Sequence, residues 1–325
     1  MGPDHFATRH IGRLRTSNYD ISSTCNLTCE GCLYFSGAGP EIDRAVHDID
    51  EWRAFFAAEA RRGINFAYVA GAEPSLYPDR IQACQDVIPF GVIFTNGIKK
   101  IGVETSYRIH VSLWGNDKGS QLYRGASANK KAMKNYAGDP RAVFVMTLNA
   151  LNLSEVQDVA KECHDHGLTL TFSFFSPTVE HERNLALNVR PQNDYFRFSS
   201  SDMDMRFDAN SLAAGRDAIR LARDTYPETV KITDEFLDWV TQPESLYQLD
   251  DEGIALDCGN RLTLHHAHFD VELKRNSGKC CSPHLDCRSC RAYAMSYATY
   301  FNRRKKMLPG WETVWTFWRD HFLPI

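Results

Sequence analysis

Ten of the 325 residues are cysteine, and eight of those ten fall into two sets near the chain ends. The first set reads Cys25-Asn-Leu-Thr-Cys29-Glu-Gly-Cys32; the second holds Cys258, the adjacent pair Cys280 and Cys281, and a closing Cys287-Arg-Ser-Cys290. Thiolates at the first spacing, on a short loop, can converge on one soft metal centre, with iron–sulfur clusters and zinc the main candidates. Three ligands is the informative number. A structural zinc site is closed by a fourth ligand, whereas three leave one metal position open for chemistry. The second set offers enough thiolates for a closed four-thiolate site with one to spare, and its spacing alone does not separate iron–sulfur from zinc.

The elements that must position these cysteines are legible as an α/β repeat. β-rich runs at 17–23, 65–70, 91–95, 108–113, 142–148 and 168–175 include several nearly continuous apolar stretches, the mark of buried parallel strands. Amphipathic helical patterns lie between them at 49–62 and 77–87, and at 154–166 with Ser154 as N-cap and Gly167 just past the end. Strands alternating with helices predict a parallel sheet or barrel over about 17–225. The 176–210 stretch has no clear period and reads as a loop or lid, and a helical segment follows near 210–226. From Thr229 the repeat stops, so the expected organisation is a βα core over 1–225 and a cysteine-rich module with a helical tail over 226–325.

Composition limits compartment and partners. Hydrophobic residues at 43% suffice for a packed core, and a formal charge of -4 gives no basic excess for nucleic acid. The N-terminal MGPDHFATRHIGRLR has no apolar h-region and no run of 18 apolar residues follows, so neither secretion nor a membrane span is expected. A reducing, cytoplasmic setting follows, where clustered cysteines serve metals or catalysis.

Cys25, Cys29 and Cys32 after the first strand of a βα repeat resemble the CxxxCxxC motif of the radical S-adenosylmethionine (radical SAM) superfamily. The resemblance implies a partial (β/α)6 TIM-like barrel. It also implies a [4Fe-4S] cluster held by the three cysteines, with SAM chelating the fourth iron and cleaved to a 5′-deoxyadenosyl radical that abstracts hydrogen from substrate. Gly71-Ala72-Glu73-Pro74 after the second strand resembles the GGEP segment that contacts the SAM amino group, a small residue being expected where backbone approaches ligand. Thr95-Asn96-Gly97 resembles the TNG turn, and Ser112 and Asn149, at the ends of the fourth and fifth strands, match positions that touch the SAM ribose or carboxylate. The family places an aromatic residue before the third cysteine; here it is Gly31, so Tyr34 is taken as the adenine-stacking surface.

The second cysteine set resembles the twitch form of the SPASM auxiliary-cluster module, which implies a second [4Fe-4S] cluster on Cys258, Cys280, Cys287 and Cys290. Adjacent strand residues face opposite ways, so Cys280 is assigned to the cluster and Cys281 to the substrate as a hydrogen-atom donor. That assignment favours an epimerase that inverts a C–H centre. The alternatives are a dehydrogenase that passes an electron to the auxiliary cluster, sulfur insertion, modification of a ribosomal peptide, and a non-catalytic iron–sulfur protein. With 24 residues ahead of Cys25 there is no room for an N-terminal peptide-recognition domain. The expected substrate is therefore a small polar metabolite of sugar, aminocyclitol or nucleoside-like kind, with a flavodoxin or ferredoxin as electron donor.

Other residues carry structural readings. His265, His266 and His268 read as a solvated hairpin tip, Cys84 and Cys163 as core thiols, and the aromatic tail from Trp311 to Phe322 as a helix packed on the barrel. The charged side chains Glu180, His181, Arg183, Asp202 and Asp204 follow the sixth strand and are candidates to reach the substrate pocket, with no ranking among them.

Overall fold

The computed structural model describes residues 14–35, 45–189, 204–276, 285–303 and 307–323; Cys280 and Cys281 lie outside the described residues. Six strands stand in chain order, β1 (Thr16–Asp20), β2 (Phe66–Ala70), β3 (Phe90–Thr95), β4 (Arg108–Leu113), β5 (Ala142–Leu148) and β6 (Leu170–Phe174), every neighbouring pair parallel. Helices α1 (Ile49–Arg61), α2 (Pro78–Gln85), α3 (Asp117–Arg124), α4 (Asn129–Tyr136) and α5 (Val156–Asp165) make the connections. This is the partial α/β barrel sheet the sequence predicts, with one addition. A short strand β7 (His268–Phe269), from the C-terminal region, pairs parallel with β1 and covers that edge of the sheet.

Both faces of the sheet are buried, which explains its continuous apolar runs. Tyr19 on β1 packs edge-on against Phe55 and Phe56 of α1. Residues of opposite parity, Phe66 and Tyr68 on β2 and His110 on β4, meet α10 (Tyr293–Asn302) and α11 (Trp311–Phe322) on the other face. There Phe66 lies 6.1 Å from Trp318, Tyr68 6.3 Å from Phe322, and His110 5.5 Å from Tyr293. The aromatic tail therefore fills the inner face of the sheet, and one core cluster runs from Tyr19 to Phe322. Cys84 and Cys163 are buried in it.

Three local expectations are corrected. The 176–210 stretch is not all loop, since α6 (Val179–Ala186) forms with Thr178 as N-cap, its hydroxyl accepting from His181 N at 3.1 Å. Only His181 and Asn184 of that helix are buried, so no apolar stripe betrays it. Ser154 is not a helix N-cap. A 3-10 turn at Leu153–Glu155 precedes α5 with Asn152 as its N-cap, and ahead of it the Asn149 side-chain oxygen accepts from Leu151 N and Asn152 N. His266 and His268 are buried rather than solvated, because β7 pairing brings His266 Nδ1 to 3.0 Å from Thr16 Oγ1 and His268 Nε2 to 2.7 Å from Asp20 Oδ2. Beyond α6 follow α7 (Ala209–Thr225), α8 (Asp234–Val240) and the short α9 (Gly259–Leu262).

Burial pushes four histidines down, His110, His181 and His266 to about 4 and His321 to about 3, with neighbouring positive groups adding to the effect. A depressed histidine is neutral when folded, while the unfolded chain takes the proton near pH 6.5. Stability is thus full above about 6.5 and is lost as pH falls towards 4, with a slope of about 1.4 kcal/mol per pH unit for each histidine. Urea denaturation of the apoprotein between pH 7 and 4 should show this loss. His110→Gln should reduce the slope by about one proton, and an unchanged slope would show that His110 does not titrate as its burial requires.

Candidate functional site

Hydrogen bonding continues past the strand ends and zips the entry of the cysteine loop to the turn after β2. Ile21 N donates to Ala70 O at 3.0 Å, Ala72 N to Ser22 O at 2.9 Å, and Glu73 N to Thr24 O at 3.0 Å. Gly71 has φ +117, and a Cβ there would stand 2.7 Å from Ser22 O. The glycine is thus demanded by the neighbouring backbone, where the sequence reading had assigned the constraint to a ligand.

Glu73 is 1% exposed and ties the next turn to this one. Its Oε1 accepts from Ser75 N at 3.0 Å and from Thr95 Oγ1 at 2.6 Å, and its Oε2 from Asn96 N at 2.8 Å. A carboxylate has about four acceptor sites, so one remains on Oε2 for an ammonium donor. Thr95 Oγ1 also accepts from Gly97 N at 3.1 Å. The Asn96 amide donates to Asn26 Oδ1 at 2.7 Å and lies 3.7 Å from Cys25 Sγ. Glu73 and the Thr95-Asn96-Gly97 turn therefore hold the first cysteine in place.

The far side of the loop is pinned by the end of α3, where Thr28 N donates to Arg124 O at 3.3 Å and Glu30 N to Tyr123 O at 2.7 Å. Arg124 is buried, donates to Ser112 O at 2.6 Å, and leaves Nε without a hydrogen-bond partner among the described residues. Sequence reasoning missed it, because an arginine in the last turn of a helix reads as a dipole-complementing surface charge. Burial pushes the Cys25 thiol up to about 11, against the backbone N–H of Leu27 and the charge of Arg124. Burial raises Cys32 to about 12, with Cys29 adding to it. Such thiols stay protonated at neutral pH until a cationic centre displaces the proton.

One cavity at the C-terminal ends of the strands gathers Cys25, Cys29 and Cys32 with Gly71, Ala72, Glu73, Asn96 and Ser112. The soft donor set and the acceptor site left on Glu73 fit a [4Fe-4S] cluster and the amino group of SAM. Among the described residues no three Cys, His, Asp or Glu side chains could hold a single metal ion. In a cubane each thiolate takes a different iron, so its ligands stand farther apart. The remaining candidates lie off the cavity wall. Pro74 opens a buried 3-10 turn, and Asn149 is buried with its side-chain oxygen accepting from Leu151 N. The Tyr34 ring sits edge-on to Phe35 at 5.0 Å, near Asp20 and Asp270.

In the second set, Cys258 and Cys290 are buried in the main core and Cys287 packs against it. Tyr247 Oη lies 3.6 Å from Cys290 Sγ. Arg291 N donates to Ser176 Oγ at 2.8 Å, and both Ser176 and Ala292 line the cavity of the first set.

This parallel sheet, with three cysteines on the loop after its first strand, is the fold of the radical SAM enzymes. The chain is similar to Streptococcus suis SuiB bound to S-adenosylmethionine, with TM-score 0.57 and 11% identity over 93% of this chain and 69% of SuiB. SuiB bound to precursor peptide SuiA gives 0.56 and 12% over 94% of this chain and 67% of SuiB, and native anSMEcpe with bound AdoMet gives 0.55 and 11% over 90% and 82%. No protein-family profile and no curated protein matches the chain. Among the described residues no helix is long and apolar enough to cross a membrane.

The Gly71 geometry gives a direct test. Gly71→Ala should lower stability by about 1–3 kcal/mol in chemical denaturation. Gly138→Ala, at φ +68 with nothing within 4 Å, carries backbone strain alone and should lose less. Equal losses would remove the Ser22 contact as the cause.

Proposed function

We propose that the chain is a radical SAM enzyme, on the observation that Cys25, Cys29 and Cys32 share one cavity with Glu73 and Asn96 at the C-terminal ends of a parallel sheet of that fold. With a [4Fe-4S] cluster on the three cysteines and SAM bound, such a site supplies a 5′-deoxyadenosyl radical that takes a hydrogen atom from substrate. The chain's own residues hold and orient. The free acceptor site on Glu73 receives the SAM ammonium, the Gly71-Ala72 backbone borders it, and Pro74 rigidifies the turn. Ser112 on the cavity wall is assigned to the ribose or carboxylate and Asn96 to the turn that borders the cofactor, while Asn149 and Tyr34, which the sequence suggests for the same ligand, lie off that wall.

The finer reading is inversion of a C–H centre in a small polar substrate. It rests on the spare cysteine of the second set, with Cys258, Cys280, Cys287 and Cys290 holding an auxiliary [4Fe-4S] cluster and Cys281 returning a hydrogen atom to the substrate radical. A flavodoxin or ferredoxin in the cytoplasm supplies the electron. A second reading, modification of a peptide, draws on SuiB, which has been seen bound to its precursor peptide SuiA.

Anaerobic reconstitution with iron, sulfide, dithionite and SAM tests both levels. The wild type should form 5′-deoxyadenosine, and Cys29→Ala should abolish it and lose roughly four irons per chain; no 5′-deoxyadenosine from the wild type sinks the enzyme reading. Replacing Cys258, Cys287 and Cys290 together should also remove roughly four irons while leaving the first cluster, and an unchanged iron content would refute the auxiliary cluster. With a substrate in hand, Cys281→Ala should stop incorporation of solvent deuterium into product. Inversion that persists with both clusters intact would refute the donor role.

A further inference from the structure

The stretch from Asn96 to Tyr136 carries eight Lys and Arg against two acidic residues, Glu104 and Asp117, a net charge of +6 in a chain whose total is -4. Six of the eight are exposed, and five of those, Lys99, Lys100, Lys130, Lys131 and Lys134, lie on two adjoining segments. Lys99 and Lys100 follow the Thr95-Asn96-Gly97 turn, and the other three stand on α4. The fold seams these segments together. Asn135 Nδ2 donates to Gly97 O at 2.8 Å and to Ile98 O at 3.0 Å, and a Cβ at Gly97 would stand 2.7 Å from Ala132 Cβ. Lys131 is one helical turn before Asn135, on the side of α4 that meets this seam.

The acids beside the seam are already engaged. Asp117 pairs with Lys130 at 3.1 Å and Asp139 with Arg141 at 2.6 Å, whereas among the described residues Lys99, Lys100, Lys131 and Lys134 have no ion-pair partner. This basic surface borders the first cysteine. Asn96 Nδ2 lies 3.7 Å from Cys25 Sγ and bonds to Asn26, which is exposed and adjacent to Cys25 in the chain. Lys99 is three residues from Asn96, at most about 11 Å of extended chain. A path from solvent to a cysteine thiol therefore opens at Asn26 beside a concentration of positive charge. On a chain of net negative charge such a patch steers an acidic partner to that face and away from the rest of the surface.

We propose that the lysines of the 99–100 segment and α4 are the docking surface for an acidic one-electron donor protein. One electron leaves the partner's reduced flavin or iron–sulfur group, which is oxidised by one, and arrives at the centre held by Cys25, Cys29 and Cys32, which is reduced by one. The proposal rests on the radical SAM reading and adds to it the face on which the donor binds.

Stopped-flow reduction of the anaerobically reconstituted protein, followed at the iron–sulfur absorbance, tests it. The donor is a strongly acidic flavodoxin in its hydroquinone form, with dithionite as the small-molecule comparison. Reduction of the wild type by the flavodoxin should slow on the order of ten-fold as salt rises from about 50 to about 500 mM. The double variants Lys99→Glu with Lys100→Glu, and Lys131→Glu with Lys134→Glu, should each slow it about five-fold or more at low salt. Lys161→Glu, at an exposed lysine of α5, should stay within about two-fold, as should reduction of every variant by dithionite. Flavodoxin rates that ignore both salt and the two double variants overturn the proposal, as does a wild type that dithionite reduces and the flavodoxin does not. A loss shared equally by dithionite overturns it too, because the lysines would then act on the centre and not on docking. A wild type that forms no 5′-deoxyadenosine with dithionite and SAM would instead sink the radical SAM reading, so the two failures are distinguishable.

Discussion

The carboxylate of Glu73 is the interaction on which the site depends. It is buried, it bonds to its own turn through Ser75 N, and it bonds to the turn after β3 through Thr95 Oγ1 and Asn96 N. Asn96 in turn reaches Asn26 and Cys25. Three loops from three strands are thereby fixed to one another through two side chains, Glu73 and Asn96. A buried carboxylate is stable only when its acceptor sites are filled, and three of about four are filled by the protein itself. These bonds fix the carboxylate beside the cysteines through the protein's own groups. That is the preorganisation a positioning site requires.

The sheet beneath can hold this arrangement because neither of its faces is left to water. The outer face packs on α1 and α2, and the inner face is filled by the aromatic residues of α10 and α11. Arg108 Nε donates to Leu323 O at 2.7 Å and His110 Nε2 stands 2.8 Å from His321 O, so the end of the chain is hydrogen-bonded to β4 as well as packed against it. The β7 pairing closes the β1 edge, and β1 is the strand from which the cysteine loop departs. Residues distant in sequence thus stiffen the strand that must aim the three thiols.

What could be read from the sequence follows from which physical signals are local. Strands buried on both faces announce themselves as apolar runs, and the observed β4 and β5 bounds match the expected ones to the residue. The cysteine spacing, Glu73 and Asn96 are legible because short loops impose spacing on their ligands. Arg124 is not, since it looks ordinary within its own element and becomes part of the site only through packing on the cysteine loop. The short β7 has too few residues to show a period, so its histidines read as solvated when they are buried. α6 is hidden for the complementary reason, a polar helix with no apolar stripe.

The two cysteine sets meet at one place in the fold. Cys290 is followed by Arg291 and then Ala292, which lines the cavity holding Cys25, Cys29 and Cys32, and two residues of extended chain span at most about 7 Å. Arg291 is buried, with its N–H on Ser176 and Nη2 donating to the carbonyls of Gln242 and Glu244 at 2.8 and 3.1 Å. Burial lowers its pKa, and a guanidinium is effectively always protonated even so, which leaves a fixed positive charge buried near Cys290. The short backbone link brings Cys290 to the edge of the cavity that holds Cys25, Cys29 and Cys32, so the position of Cys290 beside the first set is a property of the fold and not of either cysteine motif alone.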